Sequence, residues 1–158
     1  MAAITKHDDS PMTLAFAEAE AAGWRGEVPV GAALVWPDGM VVAKAGNRVE
    51  ESRDPTAHAE MLVLREGTAV LGQKQLDGCD LYVTLEPCPM CAAAISLARV
   101  RRLYFGAYDP KSGGVEHGPR IFEQPTCHHR PEVYGGIAER AAASLLRKFF
   151  QARRRVPD

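Results

Sequence analysis

The sequence predicts a single α/β domain in which helices cover a mixed β-sheet. Its 158 residues suit one domain with a sizeable core, and its composition, 46% hydrophobic and 25% charged, is ordinary for a globular protein. Two apolar segments joined by a tight turn predict an opening hairpin, after which strands and helices alternate. The chain shows no repeat and no interdomain linker. We therefore expect one domain over residues 1–158, with its core at about 12–153.

The first part of the chain predicts a helix followed by a hairpin. Ser10 and Pro11 are typical of an N-cap and a first helical residue, and they open a helix that runs to about Gly23. The apolar run 30–36 predicts a strand that turns at Pro37-Asp38-Gly39 and returns as an antiparallel partner.

A polar loop then leads to alternating helices and strands. The loop covers residues 47–55 and precedes a helix opened by Thr56. The later elements are expected as strand 81–85, helix 90–97, strand 100–107, a short strand near 132–134 and a final helix from Ala138 to about Arg153. Such alternation predicts a mixed sheet covered by helices.

The chemistry is concentrated in two short motifs. His58-Ala59-Glu60 is followed, with 28 residues between His58 and Pro87, by a Pro-Cys-Pro-Met-Cys sequence that contains Cys88 and Cys91. One imidazole and two thiols give three ligands for zinc, and a zinc site with three protein ligands is typical of a catalytic centre. The alternative is a redox Cys-x-x-Cys pair with an unrelated core histidine, but such a pair requires no His-x-Glu motif upstream.

Glu60 is the candidate proton carrier. A helix places residues i and i+2 about 200° apart, so Glu60 cannot easily bind the same metal as His58 in ideal geometry. A carboxylate beside zinc-activated water can instead move protons. The alternative is a solvated glutamate in the first turn of a helix.

Charge is unevenly distributed along the chain. Residues 1–91 carry 7 basic against 14 acidic side chains, whereas residues 92–158 carry 12 against 6. The basic excess ends in Arg147-Lys148 and Arg153-Arg154-Arg155, a cluster that favours contact with phosphates. The alternative is a solvated helix end whose cations complement the helix dipole.

Other candidates carry weaker signals. Asn47 can donate to and accept from a base edge, although asparagine is also common in turns. Phe149-Phe150 could stack on bases, or could belong to the core or a dimer interface. Cys127-His128-His129 could bind metal but lacks a second pair of ligands, so the role of the two histidines stays open.

The cellular location is expected to be the cytoplasm. The first nine residues are too polar for a signal peptide, and no run approaches the roughly 20 apolar residues that span a membrane. Four cysteines without a secretory signal indicate reduced thiols.

Taken together, these motifs resemble the bacterial tRNA-specific adenosine deaminases of the cytidine deaminase-like superfamily, whose zinc signature is H-x-E…P-C-x-x-C. The resemblance extends from about Met12 to Arg155. Beyond the zinc motif, it rests on the basic final helix and on the segments Glu27–Ala32, Asn47-Arg48, Asp54–Glu60, Tyr82–Cys88 and Phe105–Gly113.

This resemblance implies a three-layer α/β/α cytidine deaminase-like fold with a mixed sheet of about five strands, in a homodimer. It implies one zinc ion per chain, held by His58, Cys88 and Cys91, with Glu60 as the catalytic proton shuttle. The reaction would convert adenosine to inosine at the wobble position of a tRNA anticodon stem-loop. The substrate-binding residues it implies are Asn47, Ala59 through its backbone N–H, Val28, Asp109, Phe149 and Arg153.

Two alternatives remain at this point. The zinc motifs are also similar to those of guanine deaminases, which act on a free base and would not need the basic C-terminal helix. The second alternative is a zinc-stabilised RNA-binding subunit without catalytic activity. Glu60 speaks against it, because a structural zinc site needs no adjacent carboxylate.

Overall fold

A computed structural model describes residues 10–154, which form a five-stranded mixed sheet. Its strands are β1 (Gly31–Val35), β2 (Val41–Gly46), β3 (Asp80–Leu85), β4 (Arg102–Ala107) and β5 (Glu132–Tyr134), in the order β2-β1-β3-β4-β5. Strand β1 is antiparallel to both β2 and β3, and the strands from β3 to β5 are parallel.

Helices cover both faces of this sheet. They are α1 (Pro11–Trp24), α2 (Val49–Ser52), α3 (Ala59–Leu71), α4 (Pro89–Leu97) and α5 (Glu139–Arg154), with a 3₁₀ turn at Ile121–Glu123. Helices α1 and α5 contact each other, and α3 contacts α4. None of the described helices is both long enough and apolar enough to cross a membrane.

The alternation of side chains along the strands divides the core between the two faces. Leu81 and Val83 of β3 pack in the larger core with α3 and α4 residues, whereas Tyr82, between them, packs on the α1 side. Gly31 lets α1 lie directly on β1, because a Cβ atom at this position would be 1.9 Å from the carbonyl oxygen of Ala15. The predicted three-layer α/β/α fold is confirmed.

Most predicted elements are present with nearly the expected bounds. Ser10 caps α1 by accepting from the Thr13 N–H at 3.3 Å, as predicted. Two local details differ: the loop after β2 contains the short helix α2, and α3 begins at Ala59 with His58 as N-cap. Thr56 does not open the helix, because its N–H and hydroxyl donate to Asp54 at 2.8 and 2.7 Å.

The sheet topology brings four chain segments to one edge. Strands β3 and β4 run parallel and end there, while antiparallel β1 begins there. Gly46 at the end of β2 pairs with Gly31 at the start of β1. Segments 27–30, 47–58, 86–88 and 108–117 therefore meet at this edge, which is where open α/β sheets bind ligands. The polar residues 1–9, and Arg155 of the predicted basic cluster, lie outside the described residues.

Candidate active site

The starts of two helices bring the predicted metal ligands together. His58 is the N-cap of α3, Cys88 is the N-cap of α4, and Cys91 lies in the first turn of α4. Their ligand atoms all lie within 4.8 Å of one another, and within the described part of the chain this is the one such group of three or more metal-binding side chains.

The spacing of these atoms fits zinc. Nδ1 of His58 lies 3.6 Å from Sγ of Cys88 and 3.5 Å from Sγ of Cys91. A tetrahedral zinc ion with Zn–S near 2.3 Å and Zn–N near 2.0–2.1 Å would separate its sulfur and nitrogen ligands by about 3.5–3.6 Å. The observed distances are therefore those of a tetrahedral S₂N ligand set.

The pKa values of the two thiols are shifted in opposite directions. Hydrogen bonds from Cys91 and His58 lower the pKa of Cys88 to about 4, because they stabilise its thiolate. The hydrogen bond between Cys88 and Cys91, together with burial, raises the pKa of Cys91. Zinc binds cysteines as thiolates, so metal binding at this site releases any proton that a thiol still carries.

Glu60 is buried next to these ligands. It lies in the first turn of α3, with only 4% of its surface exposed. Burial raises the pKa of its carboxyl group, and hydrogen bonding together with the neighbouring His58 opposes this shift. The chain therefore places one carboxylate, separate from the three-ligand set, at the candidate metal centre.

Asn47 and Ala59 lie beside this centre and contact each other. The Ala59 N–H donates to Oδ1 of Asn47 at 2.8 Å, and the Asn47 N–H donates to the Val30 carbonyl at 3.0 Å. Asn47 is therefore fixed against the start of α3. Its amide nitrogen is the group that remains to donate to a base edge.

Val28 and Asp109 lie at the same sheet edge but have different surroundings. Val28 is half-buried and packs against the larger core. Asp109 accepts from the N–H groups of Lys111 and Ser112 at 3.2 and 3.0 Å, so its carboxylate stabilises a turn. Their predicted contact with substrate stays a prediction.

Phe149 and Arg153 lie on α5, away from the three ligands. The Arg153 guanidinium lies 4.5 Å above the Phe149 ring, and it donates to the carbonyl of Gly26. These two residues join α5 to the segment that follows α1, and their contact with RNA also stays a prediction.

The Cys127-His128-His129 segment lies apart from the candidate metal centre. Cys127 is half-buried, 3.3 Å from the hydroxyl of Ser96. The His129 ring nitrogen Nε2 is 2.7 Å from the Val100 carbonyl and therefore donates to it. Both side chains are engaged in local structure, so they do not form a second metal cluster with each other.

Sequence patterns did not identify Glu86 as a structural centre of the site. Its carboxylate is buried and accepts from the N–H groups of Asp109, Val115, Glu116 and His117 at 3.0–3.2 Å. The His117 ring also donates to it at 2.8 Å. One carboxylate thus holds the loop 109–117 against the segment that carries Cys88. The sequence offered one signal for this role: an acidic residue that directly follows an apolar strand.

Glu27 has a similar role on the other side of the centre and was also missed. It is 1% exposed, and its two carboxylate oxygens accept from the N–H groups of Glu50 and Glu51 at 2.9 Å each. These groups lie at the start of α2. Glu27 therefore holds α2, and the loop that includes Asn47, against the segment before β1.

Comparisons with known proteins agree with this site. Residues 5–107 match the family model "Cytidine and deoxycytidylate deaminase zinc-binding region". The tRNA-specific adenosine deaminase of Agrobacterium fabrum is 61% identical over 143 residues, covering 90% of this chain and 93% of the relative. A structure from studies of A-to-I editing by tRNA:A34 deaminases superposes with a TM-score of 0.84 at 61% identity, covering 86% of this chain and 98% of that one.

A more distant structural neighbour is a guanine deaminase. The guanine deaminase of Nitrosomonas europaea superposes with a TM-score of 0.71 at 28% identity, covering 88% of this chain and 82% of that one.

We expect Glu86→Gln to destabilise the protein, because an amide cannot accept hydrogen bonds from all the N–H groups that face the carboxylate. The loss should be about 3 kcal/mol near neutral pH, measured by urea unfolding, with exposed Glu123→Gln as the matched control. Burial alone would raise the pKa of Glu86, but these hydrogen bonds outweigh it and lower the pKa below 4.5.

A carboxylate with a lowered pKa in the folded state stabilises the fold above its ordinary pKa, and this contribution is lost as the pH falls through the folded-state value. The difference between wild type and Glu86→Gln should therefore be full above pH 4.5 and shrink at lower pH. Equal stability of the two proteins at pH 7 would contradict the role of Glu86.

The chain therefore belongs to the cytidine and deoxycytidylate deaminase zinc-binding family and, within it, groups with the tRNA-specific adenosine deaminases, as shown by the matched zinc-binding region, the metal-ligand geometry and a similarity that covers 90% of the chain.

Proposed function

We infer that this protein is a zinc-dependent hydrolase that converts adenosine to inosine at the wobble position of a tRNA anticodon. The observation that carries this inference is the buried Glu60 carboxylate beside the three-ligand group of His58, Cys88 and Cys91. A purely structural zinc site needs no such carboxylate. The relatives named above support tRNA as the substrate over a free base.

We assign the zinc to His58, Cys88 and Cys91, with one ion per chain. When bound, zinc supplies a Lewis acid that lowers the pKa of water towards about 7. The two cysteines and the histidine would hold the ion at the sheet edge, where the loops after β2, β3 and β4 meet.

Glu60 would perform the proton transfers. Its carboxylate takes a proton from the attacking water and passes it to the ring nitrogen adjacent to the reacting carbon. As the water oxygen adds to the carbon that bears the amino group, the carbon–nitrogen bond to that group weakens. Glu60 then takes the second proton from the added oxygen and delivers it to the amine. The carbon–nitrogen bond breaks, ammonia leaves, and the oxygen remains as the carbonyl of inosine. Burial of Glu60 suits this role, because a raised pKa brings a carboxylate closer to neutral pH.

The adenine base would be held by Asn47, whose position is fixed by the Ala59 N–H. We propose that Val28 and Asp109 border the pocket and that Phe149 and Arg153 contact flanking RNA. An anticodon loop base is unpaired, so moving it into a pocket costs less than extracting a base from a duplex.

We also propose that the chain acts as a single domain, as a homodimer, in the cytoplasm. Both helical layers pack on one sheet, which supports a single domain. The dimer is supported by Leu97, which is 80% exposed on α4 beside a surface groove of about 470 Å³. A cytoplasmic location is supported by the four free cysteines of the chain and by tRNA as the proposed substrate.

A substrate panel tests the proposed reaction. The purified zinc protein is incubated separately with an anticodon stem-loop, adenosine, cytidine and guanine, and released ammonia is measured. We expect turnover of the stem-loop, with inosine at the wobble position. Turnover of guanine with none of the stem-loop would replace the proposal with a free-base deaminase.

Replacing Glu60 by Gln should separate chemistry from binding. We expect activity on the stem-loop to fall by at least about 10⁴-fold, because general acid–base groups contribute about 10²–10⁴ and Glu60 serves several steps. Zinc content and RNA affinity should change little. Glu66→Gln is the matched control, since Glu66 is an exposed glutamate on the same helix. A Glu60→Gln protein with full zinc and normal turnover would remove Glu60 from the mechanism.

A further inference from the structure

A surface groove of about 470 Å³ lies between α1 and α5, outside the candidate active site. Trp24 at the end of α1, Pro29, and Lys148 and Phe149 of α5 are among its lining residues. Trp24 is 91% exposed. An indole this exposed offers a flat apolar face with a polar N–H group, the kind of side chain that is enriched where proteins contact ligands or partners.

Contacts between α5 and the end of α1 border the groove. The Phe149 ring packs edge-on against Phe150 with centroids 5.4 Å apart, and the Arg153 guanidinium covers it at 4.5 Å. Arg153 also donates to the carbonyl of Gly26, two residues after Trp24. Arg153 therefore joins α5 to the end of α1 beside the groove, and the Phe149 ring packs between Phe150 and the Arg153 guanidinium.

Hydrogen bonds connect the groove to the active site. Arg25, next to Trp24, donates to the backbone carbonyl of Asn47 at 3.1 Å. The Asn47 side chain accepts from the Ala59 N–H, next to the ligand His58. Pro29, which lines the groove, precedes β1 at the sheet edge where the active site lies. The groove therefore borders the surface that a bound polynucleotide would cross.

The charges of the groove favour an anionic, aromatic ligand. Lys148 lines it, and the exposed Arg147 and Arg154 lie on the same helix. Glu20 is an acidic side chain in the lining and opposes phosphate at its own position. An exposed indole beside a lysine is the combination with which single-stranded RNA is bound, since bases stack on aromatic rings and phosphates contact cations.

We propose that this groove binds an unpaired nucleotide that flanks the deaminated adenosine, with its base stacked on Trp24 and its phosphate beside Lys148. The proposal rests on the proposed function, because the same RNA must occupy the active site. It adds Trp24 as a residue that determines affinity for the RNA and takes no part in the chemical step.

Trp24 fluorescence tests the contact directly. The chain has two tryptophans, and Trp36→Phe leaves Trp24 as the sole tryptophan, which is excited selectively over the four tyrosines at long wavelength. Titration with an anticodon stem-loop should quench its emission and protect it from acrylamide. Unchanged emission at saturating RNA would overturn the proposal. This readout needs no turnover, so it stays decisive even if the substrate panel shows no deamination of the stem-loop.

Steady-state kinetics test the consequence for the substrate. Trp24→Ala should raise KM for the stem-loop roughly 5- to 100-fold, as expected for the loss of one base stack, with kcat within about twofold of wild type. Trp24→Phe should restore most of the affinity. Val70→Ala is the control: it truncates an exposed apolar residue on a different helix, α3, and should leave KM unchanged.

Salt dependence separates stacking from charge. The slope of log affinity against log salt is negative for RNA binding. Lys148→Gln should make it less steep by about 0.7, as expected for the loss of one phosphate contact, whereas Trp24→Ala should keep the wild-type slope. An unchanged KM in Trp24→Ala would overturn the proposal. A changed sedimentation coefficient of RNA-free Trp24→Ala would instead assign the groove to contact between two copies of the chain, and would overturn it as well.

Discussion

Two helices, α3 and α4, begin with their N-termini facing a common point, and the site depends on this arrangement. A helix start presents unpaired N–H groups and a positive partial charge, which stabilises thiolates. His58 and Cys88 are the two N-caps, so the ligands are positioned by the backbone. A metal ion at this point would link the helix layer directly to the strand end that leads into Cys88, coupling metal binding to stability.

Two buried carboxylates hold the loops around this point. Glu27 binds the start of α2, and Glu86 binds the loop 109–117. Burying a charge is costly unless it is fully hydrogen-bonded, and both carboxylates meet this condition through main-chain N–H groups. They hold the loops on both sides of the candidate metal centre in position. The active site is therefore built on rigid supports, although much of it consists of loops.

The sequence predicts the regular elements and the metal ligands well, because both have local signals. Apolar runs and turn residues define the strands, and the spacing of His58, Cys88 and Cys91 defines the ligand set. The start of α3 was misplaced because Asp54 hydrogen-bonds Thr56 and delays the helix. The roles of Glu27 and Glu86 depend on N–H groups from distant segments, which no local pattern reveals. The exposure of Trp24 likewise depends on where α5 returns.

We expect one histidine and two cysteines to hold a single zinc ion, together with one further light ligand. Metal analysis combined with zinc-edge X-ray absorption of the purified wild-type protein tests it most directly. We expect one zinc per chain, two sulfur ligands at about 2.3 Å, and nitrogen or oxygen ligands at about 2.0–2.1 Å. Two zinc ions per chain, or a shell of three or four sulfur atoms that includes Cys79 or Cys127, would contradict it.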